Sequence, residues 1–318
     1  MTEQELVQRA DLALSDLIST GGYLTTEQSN KFFRKLLDEA VILKDARTIP
    51  MSRPKMEINK IGFGTRVLRA ATEGLISTPE MGEAGTRALT RAQRYIPTTE
   101  RITLETSEVI AEIDLPYEVI EDSIEGGDLD ASTFQQTIID MMAERISLDL
   151  EELVVLGDTA NVGDAYLALQ DGVIVSAVSN IVNQSGDPMG PQLFGNMIKA
   201  LPTKYYKLLG RYRFYMSKPK EIDYRMTVAQ RQTAMGDAIL SGTVPVNVLG
   251  VAMSSTSYMP NDVAILMPPQ NLIIGVQRQL RMEFDRIVRE RAFVIVVSMR
   301  LALAFEEESM VVKAINLG

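Results

Sequence analysis

Paired carboxylates are the side chains of this sequence that could most readily do chemistry. Two neighbouring carboxyl groups can act as a general acid and a general base, or hold a divalent cation. In an acidic helix or loop, however, such pairs more often form a solvated face. The pairs therefore favour a charged surface over a catalytic dyad; they lie at Glu121 and Asp122, Asp128 and Asp130, and Glu151 and Glu152.

The acidic stretch from Glu121 to Asp130 has enough carboxylates to suggest a calcium loop. It lacks the ligand spacing and the terminal Glu of an EF-hand. Solvation of a loop and capping of the helix that follows account for it better. We therefore predict no metal site here.

Composition removes much of the remaining chemistry. The 318 residues include no Cys, no His and no Trp, so thiolate nucleophiles, disulfides, zinc-thiolate sites and Ser-His-Asp triads are excluded. There is no glycine-rich phosphate motif and no G-x-S-x-G elbow. We predict no cofactor and no enzyme, although a hydrolase that depends on carboxylates stays open as an alternative.

Charge is unevenly distributed along the chain. Residues 102–160 carry 16 Asp and Glu and one Arg, a net charge of −15, whereas residues 51–101 carry a net charge of +4. Such neighbouring segments would supply complementary surfaces on adjacent subunits. Local charge balance within one subunit is the alternative. No apolar run is long enough for a membrane span, and the N-terminus is unlike a signal peptide, so we expect a cytoplasmic origin.

One long amphipathic helix, from Leu129 to Leu156, positions the acidic residues. No Pro or Gly lies between Ala131 and Leu156, a stretch of about 26 residues and roughly 39 Å, and Gly157 follows as a stop. We call this predicted element the spine helix. Apolar side chains at steps of three and four predict its buried face: Phe134, Ile138, Met141, Met142, Ile146, Leu150, Leu153 and Leu156.

The segments before the spine helix differ in kind. Residues 3–19 and 26–44 predict two helices of an arm that packs on another surface. Residues 48–116 alternate between apolar and polar side chains around a Gly-rich tip, which predicts a long two-stranded ribbon. A ribbon with so few large apolar side chains needs a partner surface. After the spine, residues 161–264 predict an α/β insertion, and about the last 50 residues predict strands.

The order of these segments resembles the major capsid proteins of tailed bacteriophages, which have the Hong Kong 97 fold. The resemblance rests on ISLDLEELVVLGDTA at the end of the spine, then ALPTKYY, RFYMSKPKEIDYRMTVAQRQTAMGD, VNVLGVAMSSTSYMP and VAILMPPQNLIIGV. It covers roughly residues 45–318. Encapsulins share this fold, but they usually have a compact extended loop, so the long ribbon favours a virus.

The resemblance implies an α+β fold with an N-terminal helical arm (1–47), an extended loop built as a long β-hairpin (48–108) and two further domains. The peripheral domain would comprise 109–160 and 265–318, with the spine helix at about 130–157, and the axial domain 161–264. The family has no active site. Its members form hexamers and pentamers of an icosahedral shell around double-stranded DNA.

The implied partners are further copies of the chain, a portal and possibly a decoration or cement protein. Because the ribbon begins within about 50 residues of Met1, we expect a separate scaffolding protein instead of an N-terminal scaffolding domain. We expect no membrane partner, assembly in the bacterial host cytoplasm and a place in the virion capsid. Some members crosslink a Lys of the extended loop to an Asn of a neighbour; Lys55 and Lys60 match by position only, and we expect no crosslink.

The predicted contacts between subunits pair basic residues of the ribbon and of the last strands with acids of the spine helix. Such pairs would set register and orientation more than affinity. The predicted residues are Arg53, Arg66, Arg69, Arg87, Arg91, Arg94, Glu144, Glu151, Glu152, Arg278 and Arg281.

Overall fold

A computed structural model describes residues 40–62, 67–68, 96–116, 131–229 and 247–318. Residues Met56–Leu104 form one compact unit, and the rest of the chain forms a second. The α-helices are α1 (Ala131–Leu156), α2 (Val173–Ser176), α3 (Pro191–Ala200) and α4 (Lys218–Ala229). The strands are β1 (Arg47–Pro50), β2 (Lys55–Gly62), β3 (Thr98–Glu105), β4 (Ser107–Pro116), β5 (Asn180–Asn183), β6 (Arg213–Ser217), β7 (Asn247–Val248), β8 (Val251–Thr256), β9 (Ala264–Met267), β10 (Leu272–Ile287), β11 (Ala292–Phe305) and β12 (Val312–Ile315).

Helix α1 is the predicted spine helix, and it ends at Leu156 as the sequence indicates. Its described apolar face is buried, with Met142, Ile146, Leu150 and Leu153 between 0% and 7% exposed. Met141 was predicted on this face but is 65% exposed. Successive helical residues point about 100° apart, so Met141 and Met142 do not share the centre of one face.

A four-stranded sheet packs against α1. Its strands lie in the order β1-β10-β11-β4, with β1 parallel to β10 and the other pairs antiparallel. Alternate residues of β11 belong to the core shared with α1, because side chains of a strand point to opposite faces in turn: Ile295, Val297, Met299 and Leu301.

A six-stranded sheet, in the order β5-β12-β9-β6-β8-β7, forms the other main layer. Phe214 and Met216 of β6 face a core that contains residues of α3, while Tyr215 between them faces the core of α1. Phe194 of α3 contacts Phe214 edge to face, with ring centroids 4.8 Å apart. Because both faces are covered, β6 and β9 are buried along almost their whole length.

The structure adds three details to the predicted layout. Residues 48–50, assigned to the extended loop, belong to β1, which pairs with β10. Residues 312–315, assigned to the peripheral domain, form β12 in the six-stranded sheet between β5 and β9. A helix is predicted over 26–44; residues 1–39 lie outside the described residues, and a short 3-10 helix spans Leu43–Asp45. Strand partners distant in sequence decide such assignments, and local patterns do not reveal them.

The smaller unit contains the two-stranded sheet of β2 and β3. Its strands are joined across the ladder by ion pairs, including Arg101 with Glu57 at 3.3 Å. Lys60 lies 4.0 Å from Glu100. Several large apolar side chains of this unit are exposed, which is unusual for a surface that faces only water: Ile61, Val67, Leu68 and Ile96.

Candidate intersubunit surfaces

The outer face of α1 carries part of the predicted acidic surface. Glu144 is exposed and Glu152 is half-buried. Between them, Arg145 forms an ion pair with Asp149 at 2.8 Å, one turn further along the helix. Glu144 and Glu152 are therefore placed where a neighbour could reach them, and their role as intersubunit contacts stays a prediction.

Glu151, also predicted to contact a neighbour, lies inside the subunit. It is 3% exposed, and the backbone N–H of Ile42 donates to its Oε1 at 3.4 Å. Burial raises the pKa of this carboxyl; the nearby Thr256 side chain and the amides of Ile42 and Val41 act in the opposite direction. The helical period explains the difference in burial between the two glutamates, because Glu151 and Glu152 point about 100° apart.

The predicted basic partners are only partly described. Arg53 lies exposed in the loop between β1 and β2. Arg66, Arg69, Arg87, Arg91 and Arg94 lie outside the described residues. For Arg278 and Arg281 the structure gives the backbone, in β10 where the pairing with β11 shifts register. These residues remain predicted contacts.

Strand β4 has β11 as its neighbour and ends the four-stranded sheet. Its side chains alternate between half-buried and exposed, and Glu108 on the exposed side binds Arg300 of β11 at 2.9 Å. Glu112 and Asp114 continue the same side, with the 62% exposed Ile110 between the acids. This edge is charged, as edges that avoid uncontrolled pairing usually are.

The six-stranded sheet ends in edges of a different kind. Leu249, in the turn between β7 and β8, is 67% exposed, and Val178 and Ile181 beside and within β5 are 64% and 49% exposed. The charge and apolar patterns of the sequence did not identify these residues. A signal was present: Leu249 and Gly250 occupy a tight turn within a stretch, residues 247–260, that has no charged residue.

A polar cluster of Lys, Tyr, Ser and Glu is the arrangement that most resembles an active site. Lys204 lies 3.1 Å from Glu307, and the hydroxyls of Tyr205 and Ser309 also bind this carboxylate. The hydrogen bond with Tyr205 is the main cause that raises the pKa of Lys204, and burial raises the pKa of Tyr205. The cluster joins residues 204–205, which follow α3, to residues 307–309, which follow β11.

Clustered metal ligands and membrane-spanning helices are both absent from the part of the chain that the structure describes. Within it, no three acidic side chains gather as a metal site requires. Its helices also lack the length and apolarity that a membrane crossing needs. The acidic loop from Glu121 to Asp130 lies outside these residues.

Known proteins give the decisive comparison. No family model matches the chain. However, it is 38% identical to a prophage protein of Bacillus subtilis strain 168, YqbE, to which a capsid role is assigned; the match spans 329 residues, 100% of this chain and 99% of the relative. The chain belongs to the family of phage capsid proteins.

Solved structures show the fold of this capsid protein in phage shells. A chain of the satellite phage P4 procapsid matches with a TM-score of 0.64 at 14% identity, over 100% of this chain and 98% of that one. A chain from the capsid of an empty GTA particle matches with a TM-score of 0.58 at 14% identity, over 88% of this chain and 90% of that one. A chain from a structure of Mycobacterium phage Bobi matches with a TM-score of 0.54 at 15% identity, over 87% and 90%. The α+β capsid fold that the resemblance implied is confirmed, and kinship with a prophage protein favours a virus over an encapsulin.

Proposed function

We propose that this capsid protein is the subunit from which a tailed phage builds an icosahedral shell of hexamers and pentamers around its double-stranded DNA. Identity of 38% along the whole length of a prophage capsid protein carries this proposal. The chain's net charge of −10 suits a container, because a basic lining would hold phosphates and impede packaging and ejection. The proposed role requires no catalytic step.

The remaining partners follow from the same proposal. A separate scaffolding protein would guide assembly, a portal would occupy one vertex, and a decoration or cement protein could bind outside. Assembly would take place in the cytoplasm of the bacterial host, and the finished shell would be part of the virion. Contact with DNA would be enclosure without recognition of sequence.

Electron microscopy of the purified protein tests the proposal. The chain, produced in bacteria alone and with a scaffolding protein from the same phage, is expected to give closed shells tens of nanometres across. Nuclease-protected DNA inside virion-derived shells would distinguish them from a nanocompartment filled with cargo protein. A uniform monomer under every condition would contradict the proposal.

Within such a shell, the extended loop is proposed to lie over a neighbouring subunit, with the peripheral domain in the shell wall and the axial domain at five-fold and six-fold centres. The exposed apolar side chains of the two-stranded unit support this role for the loop. Lys55 and Lys60 each form an ion pair within the chain, with Glu105 and Glu100. We still expect no covalent crosslink from either lysine.

Removing the tip of the loop tests its role as a clamp. Deletion of residues 74–85, which lie outside the described residues, is expected to leave a folded subunit, because the described residues already form two extensive core clusters. Shells should form poorly or dissociate at lower denaturant concentrations than parental shells. Circular dichroism of the subunit and sedimentation of the shells measure the two effects. Shells of unchanged yield and stability would show that the tip does not clamp a neighbour.

A further inference from the structure

Both edge strands of the six-stranded sheet expose apolar side chains. The residues beside these side chains are held in place by burial at one edge and by hydrogen bonds at the other. Strands β5 and β7 are these edges. Val178 and Ile181 are exposed at the β5 edge, and Leu249 at the β7 edge. The edge-forming residues 172–186 and 247–260 contain no charged side chain. Charged residues normally protect sheet edges from association, so this pair of edges lacks a usual protection.

Leu249 is held in a backbone conformation that leucine disfavours. Its φ is +52°, and that of Gly250 is +82°. Val248 and Val251 pair across this two-residue turn. A tight hairpin turn with positive φ at both central residues favours Asn or Asp before Gly, and a bulky residue there strains the backbone. The chain thus presents a strained leucine to solvent.

The base of this hairpin is firmly anchored. Val248 is 4% exposed and Val251 is 1% exposed, and both belong to the core on the α3 side of the sheet. The turn therefore cannot withdraw Leu249 without disturbing buried residues. Leu249 is therefore an exposed apolar side chain whose position is fixed by its buried neighbours.

The opposite edge is also held in place. The backbone N–H groups of Val178 and Ser179 donate to Oε1 of Glu308 at 2.8 and 2.6 Å. The side-chain amide of Asn180 donates to the carbonyl oxygens of Ser309 and Val311 at 3.0 and 2.9 Å. These bonds fix the segment before and at the start of β5, so Val178 is displayed on a preorganised surface.

Strand register places Leu249 and Val178 at the same end of the six-stranded sheet. One row of paired residues crosses five strands: Met253, Phe214, Leu266, Val312 and Asn180. Strands β8, β6, β12 and β5 run in the same direction, because β6 pairs parallel with β8, β12 pairs parallel with β5, and β9 is antiparallel to both β6 and β12. The turn before β8 and the segment before β5 therefore lie at the same end of the sheet, at its opposite edges.

We propose that Leu249 of one copy packs against Val178 and Ile181 of the next copy, in a head-to-tail contact that runs around a ring of subunits. Two different surfaces on one chain that complement each other generate a closed ring when the rotation between copies closes. A second copy fits better than another protein, since one contact then covers both apolar edges of every subunit. This inference rests on the proposed function and specifies one contact within it.

Substitution of Leu249 tests the contact with two measurements, because it should preserve the stability of the subunit while it weakens assembly. Leu249→Asn should leave the unassembled subunit equally or more stable to heat, because Asn-Gly suits the turn. The same variant should require at least about a tenfold higher concentration for half-assembly, the factor that corresponds to 1.4 kcal/mol. Leu249→Met, which keeps an apolar side chain, should assemble at close to the parental concentration. Thermal unfolding and sedimentation velocity provide the measurements.

A second substitution tests the pairing itself. Ile181→Asn should impair assembly, and the double variant with Leu249→Asn should be little worse than the poorer single variant, because both changes remove one contact. Unchanged assembly of Leu249→Asn, or fully additive losses in the double variant, would overturn the proposed contact while leaving the shell proposal intact. If the parental chain forms no shell under any condition, both proposals fail.

Discussion

Replacing Gly172 by alanine is expected to destabilise the subunit by roughly 3 kcal/mol or more. A Cβ at Gly172 would lie 2.7 Å from the carbonyl oxygen of Val154 and 2.8 Å from the nitrogen of Gly157. Both atoms are backbone, so no side-chain rotation can relieve the overlap. The chain after α1 would have to move away from the end of the spine helix.

Gly157 lies on the other side of the same close contact, between the end of α1 and the segment before α2. Its added Cβ would lie 2.3 Å from the carbonyl oxygen of Gln170 and 2.5 Å from that of Leu153. The N–H of Gly172 donates to the carbonyl of Gly157 at 2.8 Å, and the N–H of Gly157 donates to that of Leu153 at 2.9 Å. The two glycines thus let the segment before α2 hydrogen-bond directly to the last turn of α1.

Urea unfolding of the unassembled subunit measures the effect, and Gly195→Ala is the matched control. Gly195 lies within α3 and has no atom within 4 Å of an added Cβ. Alanine there should stabilise the subunit by about 0.5–1 kcal/mol, because it lowers the entropy of the unfolded chain and favours helix. Equal urea midpoints of unfolding for Gly172→Ala and Gly195→Ala would show that the contact between α1 and the segment before α2 tolerates a methyl group.

The spine helix was the most predictable part of the fold. Its length, its end at Leu156 and most of its described buried face follow from local properties: apolar spacing and the absence of Pro and Gly. The reason for Gly157 was not predictable. The sequence indicates a glycine that ends a helix, whereas the structure shows one that makes room for Gln170, a residue supplied by the next segment.

Pairing between distant segments limited the other predictions. Strand β1 is separated by more than 200 residues from β10, its partner, and β12 joins the six-stranded sheet beside β5. Alternating polarity identifies a strand but does not name its neighbour. The same limit affected the candidate contacts, because the charge pattern did not show that Glu151 points into the core or that Leu249 stands exposed.

Two buried glutamates should respond to the same substitution with opposite signs. Glu221→Gln is expected to cost roughly 3 kcal/mol at pH 7. The Glu221 residue is 6% exposed; Lys218 lies 2.8 Å and Arg225 2.7 Å from its carboxylate. Burial alone would raise the pKa of Glu221, but hydrogen bonds from Lys218, Ser255 and Arg225 outweigh it and lower the pKa to about 2. A glutamine would leave the cations without their charge partner.

Glu151→Gln is expected to stabilise the subunit at pH 7. Burial raises the pKa of Glu151 and outweighs the hydrogen bonds that act in the opposite direction. The folded state therefore binds the proton of Glu151 more tightly than the unfolded state does. Ionisation at neutral pH costs stability, and the neutral amide of glutamine removes this cost while it can still accept from the amide of Ile42.

The pH dependence separates the two cases. Glu221 has a folded-state pKa below the ordinary value of 4.5, so its contribution is fully present above about pH 5 and is lost as the pH falls towards 2. The advantage of Glu151→Gln should instead vanish below about pH 4, where the carboxyl is protonated in both states. Urea unfolding of the parent and both variants from pH 3 to pH 7 measures these differences. Variants that shift stability in the same direction at pH 7 would contradict the assigned environments, because a carboxylate whose pKa is lowered by two cations and one whose pKa is raised by burial respond oppositely to loss of charge.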